Sequence, residues 1–197
     1  MIIPTVIERN SNGTTAYDIY SRLLEDRIIY YGTQVTDESA NNIVSQLLYL
    51  AKKDPDKDIT MYINCPWGNI VHGMAVYDAM QFIPCDINTV CVWLAASMWS
   101  ILLMWGTKGK RFILPHGEVL IHQPLGGAEW QASDIEIAAK HIMYYKDMLY
   151  RRIQLHTGKS MEQIKIDAER DNWMTAQQAL EYWLVDKILE YKIKWIE

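Results

Sequence analysis

The sequence predicts an α/β fold organised as one domain. Three observations carry that expectation. Short β-branched runs alternate with amphipathic helical patterns along most of the chain. Several of those runs are apolar throughout, as strands covered on both faces are. The chain has 197 residues, half of them hydrophobic and 22% charged, enough for one sizeable core. No internal repeat, low-complexity tract or linker divides it.

Taken in order, Ala16 to Glu25 reads as a helix and RIIYYG (27–32) as a strand. Asp37 to Lys53 sets Ala40, Ile43, Val44, Leu47, Leu48 and Leu50 in the i, i+3, i+4 stripe of an amphipathic helix. DPDKD (54–58) is a turn and ITMYINC (59–65) a second strand. Residues 70–83 read as a helix stopped by Pro84, INTVCVWL (87–94) as a third strand, and Met98 to Trp105 as a helix ended by Gly106. RFILP (111–115) and EVLIHQP (118–124) are strands on either side of a His-Gly turn. The last third is helical. Ser133-Asp-Ile-Glu136 has the spacing of a capping box and opens a helix to about His156, closed by Gly158. Ser160-Met-Glu-Gln163 and Thr175-Ala-Gln-Gln178 repeat that start signal.

Composition removes several function classes. The net charge is −5 and the pI about 5.5, which argues against a nucleic-acid partner. The densest basic group, Lys108, Lys110 and Arg111, reads as a solvated turn. Cys65, Cys85 and Cys91 form no C-x-x-C pair, so neither a disulfide framework nor a metal site is expected. Each reads as a small buried hydrophobe, and the set fits a reducing compartment such as the cytoplasm. MIIPTVIERN lacks the charged and apolar regions of a signal peptide. Residues 87–107 carry no charge and approach the ~20 residues of a membrane span. Their β-branched start and the interrupting AAS favour a core strand and helix instead, so no membrane partner is expected.

Inside that uncharged stretch, VCVWLAASMWSILLMW places Ser97 among Trp93, Trp99 and Trp105. Either Ser97 is a buried serine bonding its own backbone, or it is a nucleophile where a strand hands over to a helix, beside the helix's free amides. A serine nucleophile needs a base. Of His72, His116, His122, His141 and His156, His122 is the best placed, fixed by a strand with its tip towards a turn. A third group must orient the imidazole. Asp171, in a break between two helices, is either that acid or a helix cap.

The segments PTVIE (4–8), AYDIYSRLLEDRII (16–29), MYINCPWG (61–68), AASM (95–98), KGKRF (108–112), IHQPLGGA (121–128) and ERDNWMTAQQA (169–179) together resemble the proteolytic subunit of the Clp protease, in order from about Ile3 to Leu189. That resemblance implies a crotonase-like α/β fold of repeated β-β-α units with a protruding handle helix. It divides a single peptidase domain (1–197) into an axial-pore segment (1–15), a head (16–124), a handle strand and helix (125–158) and C-terminal head helices with a tail (159–197). It implies a serine endopeptidase, without cofactor or metal, with Ser97 as nucleophile, His122 as general base and Asp171 as its orienting acid. The oxyanion hole would be the amides of Gly68 and Met98, each such donor worth ~3 kcal/mol.

The resemblance also implies assembly: two stacked seven-membered rings enclosing a chamber, in which unfolded proteins and peptides are cut. Leu125, Gly126 and Gly127 would guide substrate and pair across the ring interface, where Arg170 would also pair. An AAA+ unfoldase would dock on Tyr62, Phe82, Phe112 and Leu189, residues that otherwise read as ordinary core. The chain itself has no P-loop, so ATP hydrolysis belongs to that partner.

The chain departs from the family's pattern at Trp67, Trp93, Trp99, Trp130 and Trp183, where glycine is usual, and at Trp105, where a small residue is usual. Asn69 and Cys65 stand where serine is usual. Overpacking a filled core costs ~1–3 kcal/mol per site. The rings therefore misalign the triad, fill the groove, occupy compensating space or line an altered specificity pocket. Two other functions compete with an active peptidase: a weakened paralogue completing mixed rings, and an acyl-CoA enzyme of the same fold using only the oxyanion amides.

Overall fold

A hairpin opens the computed structural model, which describes residues 2–11, 13–129 and 131–190. Thr5–Asn10 (β1) and Gly13–Asp18 (β2) pair antiparallel. Ile19–Glu25 (α1) follows, its N-terminus capped by the Asp18 carboxylate, which accepts from Ser21 N at 2.9 Å. The helix expected from Ala16 therefore starts at Ile19, because Thr14, Thr15 and Tyr17 are strand formers paired across the hairpin.

The main sheet has seven strands. Ile28–Tyr31 (β3), Ile59–Cys65 (β4), Ile87–Ala96 (β5), Arg111–Ile113 (β6) and Lys187–Ile188 (β9) lie side by side in the order β3-β4-β5-β6-β9, all parallel. β5 is long enough to serve two neighbours. Thr89–Cys91 pairs with β6, and Leu94–Ala96 pairs with Glu118–Ile121 (β7). β7 in turn pairs antiparallel with Asn172–Thr175 (β8), a strand inside the last third of the chain that the sequence predicts to be helical.

Asp37–Lys53 (α2), Ile70–Phe82 (α3) and Met98–Met104 (α4) connect the strands. α2 buries Ala40, Ile43, Leu47 and Leu50 as its stripe requires; Leu48, assigned to the same stripe, is 47% exposed. α4 is buried along its whole length. The uncharged stretch 87–107 is thus a core strand and a core helix, and among the described residues no helix is long and apolar enough to cross a membrane.

Ala132–Thr157 (α5), Met161–Asp167 (α6) and Ala176–Glu181 (α7) complete the chain. α5 has 26 residues and buries only Leu149, Tyr150, Ile153 and Thr157, all near its C-terminus. Its first half projects with Ile137, Met143 and Tyr144 exposed. The predicted capping box at Ser133 does not form. Gln131 is the N-cap, its carbonyl accepting from Asp134 N and Ile135 N, so Ser133 lies inside the first turn. The boxes expected at Ser160 and Thr175 do cap α6 and α7; only Thr175 has both reciprocal bonds.

Candidate active site

Three adjacent strands deliver three side chains to one point. β5 ends at Ala96, and Ser97 follows at φ +58 and ψ −122, a turn that swings its side chain off the strand before α4 begins. Ser97 N donates to Leu120 O of β7 at 3.1 Å, so the turn is pinned to the neighbouring strand. β7 ends at Ile121, and His122 follows. Ile121 is in register with Asn172, so Asp171, the residue before β8, comes alongside His122. The resulting distances are 2.9 Å from His122 Nε2 to Ser97 Oγ and 3.2 Å from His122 Nδ1 to Asp171 Oδ1. The imidazole is nearly buried, at 7% exposure, while Asp171 is 58% exposed. Misalignment of these groups by the tryptophans, one of the outcomes open from sequence, is absent.

Gly68 and Met98 line the same cleft as Ser97 and His122, a cavity of about 380 Å³. The Gly68 loop is tied down from three sides. Val35 N donates to Trp67 O at 3.4 Å, Asn69 N donates to Val35 O at 3.2 Å, and the Asn69 side chain caps α3 through Val71 N at 2.8 Å. A Cβ on Gly68 would stand 2.6 Å from Val35 Cγ2 and 3.1 Å from Met98 Cβ, so only glycine fits. Cys65, at the position where serine is usual, is buried; its thiol donates to Thr33 O at 2.7 Å, and burial raises its pKa. It acts as a structural donor beneath the loop.

The sequence pattern does not single out several residues that hold the site. Gly73 lies in α3 directly beneath Met98: a Cβ there would stand 2.2 Å from Met98 Cγ. Gln123 Nε2 donates to Glu169 O at 2.7 Å and Gln123 Oε1 accepts from Lys146 Nζ at 2.7 Å, which lashes the segment after His122 to the one before Asp171 and to α5. A glycine inside a helical pattern was the one visible hint.

The remaining residues singled out from sequence fall in three places. Leu125 is 75% exposed and lines the cleft, a Cβ on Gly126 would meet Ile142 Cδ1 at 2.7 Å, and Gly127 has open space around it. Residues 125–129 belong to no strand in the single chain, and Arg170 is exposed beside Asp171. Tyr62 and Phe112 flank Val90 in register across the sheet, both half-buried; Leu189 is half-buried just after β9, and Phe82 is 83% exposed at the end of α3.

The tryptophans divide likewise. Trp99 points into the core, stacked on Tyr31 at 4.6 Å, and is absent from the cleft wall. Trp105 is buried against Tyr77. Trp93 is exposed, and so is Trp183, which keeps a φ of +68. Trp67 lines the cleft. Trp130 lies outside the described residues.

A serine turned off a parallel strand at positive φ, in line with an imidazole and a carboxylate, is the geometry of a serine hydrolase on an α/β scaffold. The comparisons agree with that class and narrow it. The family model described as Clp protease matches residues 11–192, and the chain belongs to that family. The "ATP-dependent Clp protease proteolytic subunit" of Porphyromonas gingivalis (strain ATCC BAA-308 / W83) is 54% identical over 189 residues, covering 96% of this chain and 85% of the relative. The chain is a serine peptidase of this family.

Proposed function

We propose that the chain is the proteolytic subunit of an ATP-dependent Clp-type protease, cutting unfolded polypeptides at Ser97. The observation that carries this reading is the line Ser97 Oγ, His122 Nε2, His122 Nδ1, Asp171 Oδ1, with spacings of 2.9 and 3.2 Å at its two hydrogen-bonding steps. Ser97 Oγ attacks the scissile carbonyl as His122 Nε2 takes its proton. Asp171 accepts from Nδ1–H and stabilises the imidazolium. The oxyanion accepts from the amides of Gly68 and Met98, preorganised by the tethered loop and the start of α4. Collapse passes the proton from His122 to the leaving amine. Water, activated by the same imidazole, then cleaves the acyl-enzyme.

Assembly belongs to the same proposal. The exposed first half of α5 is the handle by which two seven-membered rings stack. Leu125 to Gly127 offer unpaired backbone to substrate and to the opposite ring, with Arg170 pairing across it. An AAA+ unfoldase docks on Tyr62, Phe82, Phe112 and Leu189, and the hairpin segment 1–15 lies at the axial pore. The whole chain acts as one domain in the cytoplasm. The test is covalent labelling by a fluorophosphonate, run beside native mass. Labelling that vanishes in Ser97→Ala, in an oligomer of ring size, is the expected result; an assembled ring that does not label overturns it.

A further inference from the structure

The geometry points to Ser100 as a positioning residue that aims the Met98 amide at the oxyanion, acting through the carbonyl of Ser97. This inference rests on the reading of the Gly68 and Met98 amides as an oxyanion hole. Ser97 O accepts twice from Ser100, from its amide at 3.1 Å and from its hydroxyl at 2.6 Å. Ser97 O and Met98 N belong to one peptide unit. That unit is planar and trans, so its C=O and N–H point in opposite directions. Whatever fixes the carbonyl therefore fixes the amide. The Met98 amide opens α4 and has no carbonyl of that helix to bond. Ser97, Met98 and Ser100 all line the cleft.

Other contacts hold Met98 without setting the direction of its N–H. A Cβ on Gly68 would stand 3.1 Å from Met98 Cβ, and one on Gly73 2.2 Å from Met98 Cγ, so the Met98 side chain is held on two sides. Ser97 N donates to Leu120 O, which fixes the preceding peptide. The plane between Ser97 and Met98 can still turn about the line joining their Cα atoms, as ψ of one and φ of the other change in opposite senses. Such a turn swings the N–H off the oxyanion while hardly moving either side chain, and a hydrogen bond weakens steeply as its angle closes. Ser100 opposes the turn with two bonds on the carbonyl. Its side chain is fully buried, so water does not compete for the hydroxyl bond. Donation to the carbonyl also polarises the N–H at the other end of the unit. A serine early in a helix commonly bonds a carbonyl one turn back with no wider role, and such a bond affects stability alone. Here the carbonyl belongs to the nucleophile's own peptide.

The test uses the full-length assembled protein and two inhibitors of one peptide sequence. One is an aldehyde: Ser97 Oγ adds to its carbonyl carbon, and the carbonyl oxygen becomes a hemiacetal oxygen in the oxyanion position. The other is the corresponding alcohol, which cannot react. In Ser100→Ala the aldehyde is expected to bind about tenfold more weakly while the alcohol binds as before, and peptide cleavage to lose about tenfold in kcat with KM unchanged. Ser100→Cys keeps a weaker donor in nearly the same volume and lies between wild type and Ser100→Ala on each measure. Unchanged aldehyde binding in Ser100→Ala, or equal weakening of aldehyde and alcohol, overturns the inference. Should Ser100→Ala not assemble, Ser100→Cys decides alone, and wild-type aldehyde binding there overturns it. A wild type that binds the aldehyde no more tightly than the alcohol sinks the oxyanion reading of Gly68 and Met98 itself. A wild type that prefers the aldehyde, with both variants preferring it equally, sinks only this inference.

Discussion

Ser97 holds φ +58 and ψ −122, a conformation that costs an L-residue on the order of 1–3 kcal/mol. Its own bonds keep it there: the amide donates to Leu120 O, and the carbonyl accepts from Ser100 N at 3.1 Å and Ser100 Oγ at 2.6 Å. Glycine adopts positive φ without that cost, though it loses more chain entropy on folding. Ser97→Gly is therefore expected to be inactive yet about 1 kcal/mol more stable than Ser97→Ala, read as the difference of urea midpoints. Equal midpoints would mean that the turn is unstrained. At this scale the residues alone left alternatives open, a backbone-bonded Ser97 and a helix-capping Asp171 among them, and the resemblance named the three side chains that the structure brings together. The sequence was silent on the direction of the indoles. Trp67 and Trp99 both adjoin oxyanion residues in the chain, yet one faces the cleft and the other stacks on Tyr31, a distinction set by which side of the backbone each leaves.

Elements position the site through contacts that periodicity does not encode. α3 crosses beneath the start of α4 at Gly73, where Met98 fills the space a side chain would need. Gly73→Ala gains helix propensity, about 0.5–1 kcal/mol in an open helix, but displaces Met98 and with it the turn at Ser97. Peptidase activity is expected to fall at least about tenfold, mainly in kcat, while the far-ultraviolet circular dichroism stays that of the folded protein. Wild-type kcat in this variant would show that α3 and α4 slide freely. Helix and strand spans were largely legible, since α2 and β4 have the bounds that their apolar patterns predict. The structure differs from the sequence expectation at two helix starts and at β8. A capping-box pattern fits a helix entered two residues earlier equally well, which hid Gln131 behind Ser133. β8 is a four-residue strand whose identity comes from pairing with β7, a long-range partner that no local window contains.

At the level of the whole molecule, α5 docks its C-terminal end onto the core through a histidine that must stay neutral. His156 lies near Trp105 and Tyr77, with centroid distances of 6.2 and 6.5 Å, and its carbonyl accepts from Arg111. Burial, then the charges of Arg111 and Arg152, push its pKa down to about 4. In the unfolded chain the same imidazole titrates near pH 6.5. Between those values the unfolded state binds a proton that the fold refuses, so stability is full above pH 6.5 and declines as the pH falls towards 4, by at most about 2–3 kcal/mol given partial solvent access. Thermal melting from pH 7 to 4.5 is expected to drop more steeply for the wild type than for His156→Gln; parallel curves would remove His156 as the cause. The Arg111–Asp186 pair, whose carboxylate pKa is held below its usual value, is lost only at still lower pH. The arrangement of strands at the cleft has one more consequence, and it concerns time. Ser97 and His122 directly follow β5 and β7, but the strand that brings Asp171 alongside comes late in the chain order. During vectorial synthesis on the ribosome, the nascent protein carries no complete catalytic line until β8 has emerged and joined the sheet. A cell translating this message is thereby spared a working protease that has not yet finished being made.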